Sequence, residues 1–360
     1  MPNFAQKLVR WQRRHGRHGL PWQGTRDPYR VWLSEIMLQQ TQVASVIPYF
    51  GRFLARFPDI EALAAASEEE VLQLWSGLGY YARGRNLLRA ARQVVEAGAF
   101  PDTAGEIQAL PGVGPSSAAA IAVFAFGRRA AILDGNVKRV LARCFAIEGE
   151  KAQRTLAQTL LPSRGIETYT QALMDLGATV CTRGNPACGR CPVARDCVAR
   201  RAGRIDELPA ARKRKPLPLK RATWLVLLHR GSVLLERRPS TGIWGGLWVF
   251  PELVSGAPDA FCRKVLGCKV GQPRRLPDIE HGFTHFKLRV RPLRCAVSKI
   301  LPRAEAPGRI WLEVEDAARA AVPAPVRRLL LDLGSQARKG MGSGTGHDFG
   351  SRTPPVRRFK

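Results

Sequence analysis

Four cysteines lie close together near the middle of the sequence. Cys181, Cys188, Cys191 and Cys197 follow the spacing C-x6-C-x2-C-x5-C. Four thiolates suit either a 4Fe-4S cluster or a structural zinc ion. Ribbon-type zinc sites use two C-x2-C pairs and this segment has only one, so the spacing favours the iron-sulfur cluster. The arginines and Asn185 between the cysteines argue against an apolar core and indicate a loop that contacts phosphate.

Two acidic residues, Glu35 and Asp134, occupy settings that could support acid–base chemistry. The first has Val31, Trp32 and Leu38 as helical neighbours, so its face is largely apolar. A carboxyl group there resists ionisation, as a general acid requires. The alternative is a capping or ion-paired glutamate on a solvated face. Asp134 immediately precedes a helical pattern, and on the residues alone it is best interpreted as a helix N-cap.

A glycine turn between two predicted helices could hold an anion. Thr103 and Glu106 predict a capping box for a short helix, and Gly112 and Gly114 precede a second helix at 116–126. Glycine allows the backbone to approach a ligand closely, and the first amides of the second helix are donors with a favourable dipole. DNA phosphate is the expected ligand, bound for position and not for sequence. An ordinary corner between helices is the alternative.

The composition also favours a nucleic acid partner. The 360 residues include 57 Lys and Arg against 29 Asp and Glu, a formal net charge of +28. This exceeds what solubility requires and indicates a polyanionic partner. No run approaches the roughly 20 apolar residues of a membrane span, and the amino terminus lacks the apolar core of a signal peptide. We therefore expect a cytoplasmic protein, in which crowded cysteines favour metal over disulfides.

The chain is long enough for two domains, each with its own core. Residues 1–200 have helical periodicity and predict an all-α domain that contains the cysteine loop. Residues 201–221 have the composition of a basic linker. Residues 222–334 combine strand-like and helical runs, which predicts an α+β domain. Residues 335–360 are predicted to be a disordered basic tail.

Several longer segments resemble a known family. With the cysteine loop at 181–197 and the glycine turn, they resemble the helix-hairpin-helix glycosylases of the endonuclease III superfamily. Among these they are most similar to the adenine DNA glycosylases of the MutY type. The resemblance extends from about residue 4 to 335. The matching segments in the helical region are residues 20–22, 32–42, 77–83, 133–139 and 171–177.

The resemblance implies a base excision repair enzyme that removes adenine mispaired with 8-oxoguanine or guanine in double-stranded DNA. Glu35 would be the general acid that protonates adenine at nitrogen 7, a role typically worth ~10²–10⁴ in rate. Asp134 would stabilise the oxocarbenium-like sugar, alone or through a transient covalent bond, and Asn136 would help to orient it. The clustered cysteines would hold a 4Fe-4S cluster.

Ser116 predicts a monofunctional glycosylase. In the bifunctional relatives the matching residue is a lysine, whose amine attacks the sugar as a Schiff-base nucleophile. A serine hydroxyl cannot form that imine, so we expect at most weak lyase activity.

By resemblance, further residues contact DNA and the extruded base. The wedge and stacking positions around the lesion pair are Gln40, Leu78 and Tyr80, and the positions that line the adenine pocket are Trp22 and Gln171. For Tyr80, the residue type alone fits core packing equally well. Gln23 follows Trp22 where some relatives have arginine, which weakens the prediction of adenine contacts there.

The carboxy-terminal region resembles the Nudix-like domain that MutY enzymes append, most visibly at residues 242–251. A hydrolytic Nudix protein would continue with an acidic, magnesium-binding helix, whereas residues 259–266 lack the acidic cluster. Pyrophosphohydrolase activity is therefore disfavoured. Residues 281–285 resemble the family loop that contacts 8-oxoguanine, which makes Phe283, Thr284 and His285 the candidate recognition residues. An ordinary surface loop is the alternative.

Two other functions remain as alternatives. A bifunctional pyrimidine-damage lyase is disfavoured by Ser116 and by the added domain. A non-catalytic iron-sulfur module that only binds DNA is disfavoured because Glu35 and Asp134 are both present. We expect a nucleoid-associated monomer with no membrane contact.

Overall fold

A computed structural model describes residues 2–210, 216–301 and 306–341 of the chain. The backbone separates into two compact units, Met1–Pro216 and Leu217–Lys360. The first is helical and the second is built on a β-sheet, so the predicted α+β multidomain fold is confirmed. The helices of the first unit are α1 Pro2–His15, α2 Pro28–Leu38, α3 Val43–Arg56, α4 Ile60–Ala65, α5 Glu68–Trp75, α6 Ala82–Ala97, α7 Ala104–Ala109, α8 Pro115–Phe126, α9 Gly135–Phe145, α10 Glu150–Thr159, α11 Ile166–Asp175 and α12 Val198–Arg201.

Local sequence signals fix where the helices near the site begin. Asp27 caps α2 by accepting a hydrogen bond from the backbone N–H of Tyr29, and Pro28 occupies the first turn. Thr103 and Glu106 form the predicted capping box on α7. Helix α8 is apolar on nearly all sides and is buried, so the turn that precedes it is held rigidly.

The cysteine loop continues directly from α11. A single π-helical turn, Leu176–Val180, ends at the first cysteine, and a short 3-10 turn, Cys188–Arg190, lies within the loop. Helices α1, α9 and α11 pack in one core with this segment, and its fully buried members include Leu8, Val140 and Leu176. The loop is therefore anchored to the same core that supports the start of α9.

The described part of the second unit contains one mixed sheet together with short helices and the longer helix α15. Strands β1 and β7 pair in parallel; β2 pairs antiparallel with β1, β3 and β8, and β7 pairs antiparallel with β4, β5 and β6. The strands are β1 Leu219–His229, β2 Ser232–Arg237, β3 Trp248–Val249, β4 Cys268–Val270, β5 Arg274–Arg275, β6 Ile279–Gly282, β7 Lys287–Ile300 and β8 Arg309–Glu313. The helices are α13 Pro258–Phe261, α14 Val314–Arg319 and α15 Ala324–Met341.

Two predicted boundaries are wrong in detail. The predicted linker at 201–221 begins too early and ends too late. Leu208 is buried in the helical core and its carbonyl accepts a hydrogen bond from Arg143 Nε at 2.8 Å, while β1 already begins at Leu219. The predicted disordered tail also begins too early, because α15 continues past Ser335 to Met341. Residues 211–215 of the predicted linker and 342–360 of the tail lie outside the described residues.

Candidate active site and cysteine cavity

A cleft of about 690 Å³ opens in the helical unit. Most of its lining comes from the loop before α2, from α2 itself and from α11. Trp22 and Gln171, which the resemblance assigned to the adenine pocket, line this cleft together with Glu35, the predicted general acid. The lining is partly apolar, and its other members include Val31, Leu38, Phe124 and Met174. A cleft that combines apolar surface with polar and charged side chains can both hold a base and fix its orientation.

Glu35 lies on α2 between residues that are almost entirely buried. Ser34 is 1% exposed and Ile36 is 2% exposed, and the Glu35 side chain keeps limited access to the cleft. Burial and, to a smaller extent, the negative charge of nearby Asp134 raise the pKa of Glu35 to about 8. The carboxyl group is therefore largely protonated at neutral pH, so it can donate a proton to a group in the cleft.

Asp134 is both the N-cap of α9 and the charged neighbour of Glu35. Its carboxylate accepts a hydrogen bond from the backbone N–H of Val137 at 2.7 Å, and Asn136 Nδ2 lies 3.5 Å from the other oxygen. The capping bond fixes the carboxylate at the helix N-terminus, where the helix dipole favours negative charge. One position of the Asp134 side chain therefore caps α9 and also brings its negative charge near Glu35.

Hydrogen bonds connect the first cysteine to Asp134. Arg139 Nε donates to the carbonyl of Cys181 at 2.8 Å, and an Nη of the same arginine donates to Asn136 Oδ1 at 2.8 Å. Gly177 packs so closely that a Cβ there would lie 2.7 Å from the Cβ of Asn136. Asn136, which was predicted to orient the catalytic aspartate, is thus held from the side of the cysteine loop.

The glycine hairpin is formed as predicted, between α7 and α8. Gly112 has φ of +79°, and a Cβ there would lie 2.7 Å from the side chain of Asn86, so only glycine fits without rearrangement. Gly114 is the N-cap of α8. The hydroxyl of Ser116 accepts a hydrogen bond from the Leu133 backbone N–H at 3.1 Å. This bond joins the hairpin to the segment that leads into Asp134.

The predicted wedge residues have unusual backbone conformations. Gln40 and Tyr80 have φ of +55° and +48°, in the left-handed region that non-glycine residues rarely adopt. Tyr80 is 46% exposed, which favours a surface role over core packing. Leu78, in contrast, is buried at 7% exposure. The structure thus presents Gln40 and Tyr80 at the surface and keeps Leu78 inside.

Arg83 holds the segments that carry these residues together, a role that the sequence analysis missed. One Nη donates to the carbonyl oxygens of Ile36, Met37 and Gln39 at 3.0, 2.8 and 2.6 Å. The other donates to the carbonyls of Leu78 and Gly79 at 3.3 and 3.2 Å. The guanidinium therefore joins the end of the Glu35 helix to the Tyr80 loop. Its position at the end of the matching segment 77–83 was the available signal.

The loop around Trp22 is closed by its own side chains. Trp22 packs edge-on against Phe50 with ring centroids 5.4 Å apart. Gln23 Oε1 accepts from the Leu20 backbone N–H at 3.0 Å, and its Nε2 donates to the carbonyl of Arg17 at 3.1 Å. The glutamine that departs from some relatives thus supports the loop conformation.

The four clustered cysteines all line one cavity. Arg143 is almost fully buried beside it; an Nη of this residue lies 3.6 Å from Cys181 Sγ and 2.7 Å from the Thr182 carbonyl oxygen. A hydrogen bond from the Cys144 thiol lowers the pKa of Cys197 to about 6. Among the described residues, no three His, Cys, Asp or Glu side chains are arranged as ligands of a metal ion. Four cysteine side chains around one cavity, beside a buried guanidinium, have the chemistry of a metal group that sulfur ligands bind.

In the second unit, the predicted recognition residues lie in the turn between β6 and β7. Phe283 stacks on Phe286 with centroids 4.4 Å apart, and its backbone N–H donates to the carbonyl of Phe286 at 2.8 Å. Trp244, in the loop between β2 and β3, contacts Phe283 with ring centroids 5.5 Å apart. Thr284 and His285 are exposed. The turn is thus supported by aromatic rings and presents two polar side chains to solvent.

No helix in the described part of the chain is long and apolar enough to cross a membrane.

Two family models match the chain. The family described as the HhH-GPD superfamily of base excision DNA repair proteins matches residues 33–162, which include Glu35, Asp134 and the hairpin. The NUDIX domain family matches residues 223–332 in the second unit.

Similar proteins cover nearly the whole chain. The adenine DNA glycosylase of Buchnera aphidicola subsp. Baizongia pistaciae is 34% identical, over 92% of this chain and 96% of that protein. The human adenine DNA glycosylase is 34% identical, over 91% of this chain and 73% of that protein. A solved thermostable thymine-DNA glycosylase is 28% identical with a TM-score of 0.52, over 56% of this chain and 96% of that one. The chain therefore belongs to the adenine DNA glycosylase family of base excision repair enzymes.

Proposed function

We propose that this protein excises adenine mispaired with 8-oxoguanine or guanine in double-stranded DNA, with Glu35 as general acid and Asp134 as the group that stabilises the sugar. The observation that supports it best is the state of Glu35. Burial and Asp134 raise the pKa of its carboxyl to about 8, inside a cleft large enough for a base. A protonated carboxylic acid at neutral pH is what departure of adenine requires.

The two carboxyl groups have different tasks. Glu35 donates its proton to nitrogen 7 of adenine, which makes the base a better leaving group. Asp134, held at the start of α9 by the Val137 N–H, remains available to stabilise positive charge on the sugar, alone or through a transient covalent bond. Asn136 is a positioning residue for that carboxylate, through the contact at 3.5 Å. Water then completes hydrolysis.

Ser116 makes the enzyme monofunctional. Its hydroxyl accepts a hydrogen bond from Leu133 and has no amine chemistry, so an imine with the sugar cannot form there. The expected product is an abasic site in an unbroken strand.

The remaining predicted contacts form a DNA-binding surface on the helical unit. The Gly112 to Gly114 turn offers backbone amides to a phosphate. Gln40 and Tyr80 fill the space left by the extruded base, which explains why strained backbone is retained at both positions. Leu78 supports them from inside. Trp22 and Gln171 contact the adenine within the cleft.

The second unit selects the partner base. Phe283 packs the turn, and the exposed Thr284 hydroxyl and His285 imidazole hydrogen-bond to 8-oxoguanine. The helix Pro258–Phe261 and the turn that follows it contain a single acid, Asp259, so this segment lacks the acidic cluster of a magnesium-dependent hydrolase.

The cysteine cavity holds a 4Fe-4S cluster through Cys181, Cys188, Cys191 and Cys197. Bound there, the cluster would supply a rigid cross-link for the loop. Arg143 stabilises the thiolate charge through its contact with Cys181 Sγ, and the loop's exposed arginines lie near the DNA backbone. All proposed catalytic groups come from one chain, so we propose that the enzyme acts as a monomer on nucleoid DNA.

Single-turnover excision tests the proposal as a whole. Duplexes with adenine opposite 8-oxoguanine, guanine or thymine are incubated with excess enzyme, and strand breaks are measured with and without alkali. We expect fast excision opposite 8-oxoguanine, slower excision opposite guanine and little opposite thymine, with breaks only after alkali. Breaks without alkali would contradict monofunctional chemistry, and equal rates on all duplexes would contradict the partner-base assignment.

A further inference from the structure

A fully buried carboxylate lies next to the cleft that contains Glu35. Asp175, at the end of α11, has 0% exposure. Its Oδ1 accepts hydrogen bonds from Arg17 Nε at 2.7 Å and from Gln171 Nε2 at 2.8 Å. Its Oδ2 accepts from the Arg17 backbone N–H at 2.9 Å. The proposed reaction assigns no task to this aspartate, although two of its partners line the cleft.

The Gln171 amide can take only one orientation beside this carboxylate. A carboxylate accepts hydrogen bonds, and of the two amide atoms only Nε2 donates. The atom 2.8 Å from Asp175 must therefore be the nitrogen, so the assignment follows from chemistry and not from choosing between two similar atoms. Within the described residues Oε1 has no hydrogen-bond partner, and it belongs to a side chain that lines the cleft. The cleft thus gains a fixed hydrogen-bond acceptor.

A fixed acceptor distinguishes between purines. Adenine carries an amino donor at position 6, whereas guanine and hypoxanthine carry a carbonyl acceptor there. An acceptor that cannot rotate forms a hydrogen bond with the amino group of adenine and repels the carbonyl oxygen of guanine or hypoxanthine. A site that leaves a polar group of the wrong base unpaired discriminates strongly against that base. We propose that Asp175 is a positioning residue for base selectivity, which holds Gln171 Oε1 as the acceptor for the 6-amino group of adenine. This inference rests on the proposed function.

The surroundings of Asp175 keep it in place. Gly16 packs against it, and a Cβ there would lie 3.0 Å from Asp175 Oδ2 and 2.7 Å from the carbonyl oxygen of Gln12. The glycine lets the chain pass close enough for Arg17 to donate to both carboxylate oxygens. Two charge-assisted bonds from one arginine stabilise a buried carboxylate that would otherwise be costly to desolvate.

The test compares excision of adenine and of hypoxanthine, opposite the same partner base, under single-turnover conditions. Asp175→Ala removes the acceptor that orients the amide, so we expect the adenine-to-hypoxanthine rate ratio to fall on the order of tenfold, about the value of one hydrogen bond. Gln171→Met should lower the ratio similarly, and Asp175→Ala should cause no further fall in that background. Arg17→Lys keeps both the cation and the carboxylate, so the ratio should persist although both rates fall.

A structural role alone would give a different result. If Asp175→Ala lowers both rates and leaves the ratio unchanged, the proposal is overturned. If the unaltered protein excises neither base, the proposed function fails instead. If circular dichroism shows that Asp175→Ala does not fold, the test uses the unaltered protein instead. Its side-chain amides are labelled with ¹⁵N, and their hydrogen exchange is measured by NMR. The Gln171 amide protons, assigned by their loss in Gln171→Met, should exchange slowly with water, and fast exchange would overturn the proposal.

Discussion

The two units meet their proposed tasks with opposite physical means. In the helical unit the functional carboxyl groups are buried: Glu35 lies in an apolar setting, and Asp175 has 0% exposure and is held by hydrogen bonds. In the second unit, the candidate recognition residues Thr284 and His285 are exposed on a turn supported by aromatic rings. A carboxyl group that acts as a general acid at neutral pH needs a raised pKa, which burial supplies for Glu35. Recognition of a base requires polar groups that the base can reach.

Changes in the two units should therefore have different effects on the excision rate. A change in the cleft should alter the chemical step for every partner base, because adenine is the leaving group in each case. A change in the turn between β6 and β7 should alter only the ratio between partner bases.

The largest effect is expected from Glu35→Gln, which keeps the shape of the side chain and removes the transferable proton. The single-turnover rate should fall by ~10²–10⁴ for every partner base, while DNA affinity is retained. Excision assays and a gel-shift titration measure the two quantities. Glu61→Gln, an exposed glutamate on α4, is the matched control and should change neither. A normal rate in Glu35→Gln would remove the general acid from the mechanism.

Arg83 is the next strongest test of the buried network. In Arg83→Met the carbonyls of Ile36, Met37 and Gln39 lose their donor, so the free energy of unfolding should fall by about 2–3 kcal/mol. Arg89→Met on the same helix removes an exposed arginine and should change it by less than about 0.5 kcal/mol. Denaturant unfolding of both variants measures the difference. If Arg83→Met is as stable as Arg89→Met, the guanidinium is not required to hold the end of α2 and the Tyr80 loop together.

Arg83 also shows where sequence reasoning reached its limit. Periodicity and capping patterns predicted the helices, the hairpin and the Asp134 N-cap because those signals are local. The partners of Arg83 are backbone carbonyls up to 47 residues away, and no residue type marks a carbonyl as a partner. Asp175 and Arg139 were missed for the same reason.

The linker error has a related cause. Residues 201–210 were assigned to a linker because of their basic composition. Leu208 nevertheless packs in the helical core and its carbonyl accepts from Arg143, 65 residues earlier. Composition reports the average character of a segment. One buried leucine and one hydrogen bond to its carbonyl oxygen are nevertheless enough to fix the position of this segment.

The pH dependence tests the burial of Glu35 directly. The protonated carboxyl is the active form and its pKa is raised to about 8, so the chemical rate should be steady below that pH. Above it, the rate should fall about tenfold per pH unit as the proton is lost. Asp134→Asn removes the neighbouring negative charge and should move this decline to lower pH, whatever rate remains. A decline near the ordinary glutamate pKa in the unaltered protein would contradict the buried setting.

The smallest effect is expected in the second unit. Replacing Thr284 and His285 with alanine removes exposed hydrogen-bonding groups without disturbing the Phe283–Phe286 stack. The preference for 8-oxoguanine over guanine opposite adenine should fall about fivefold to tenfold, the value of one or two modest hydrogen bonds. The rate opposite guanine should be unchanged, because Glu35 and Asp134 are intact. An equal fall for both partner bases would mean that the turn contributes to the chemical step, and the division of tasks between the units would then be wrong.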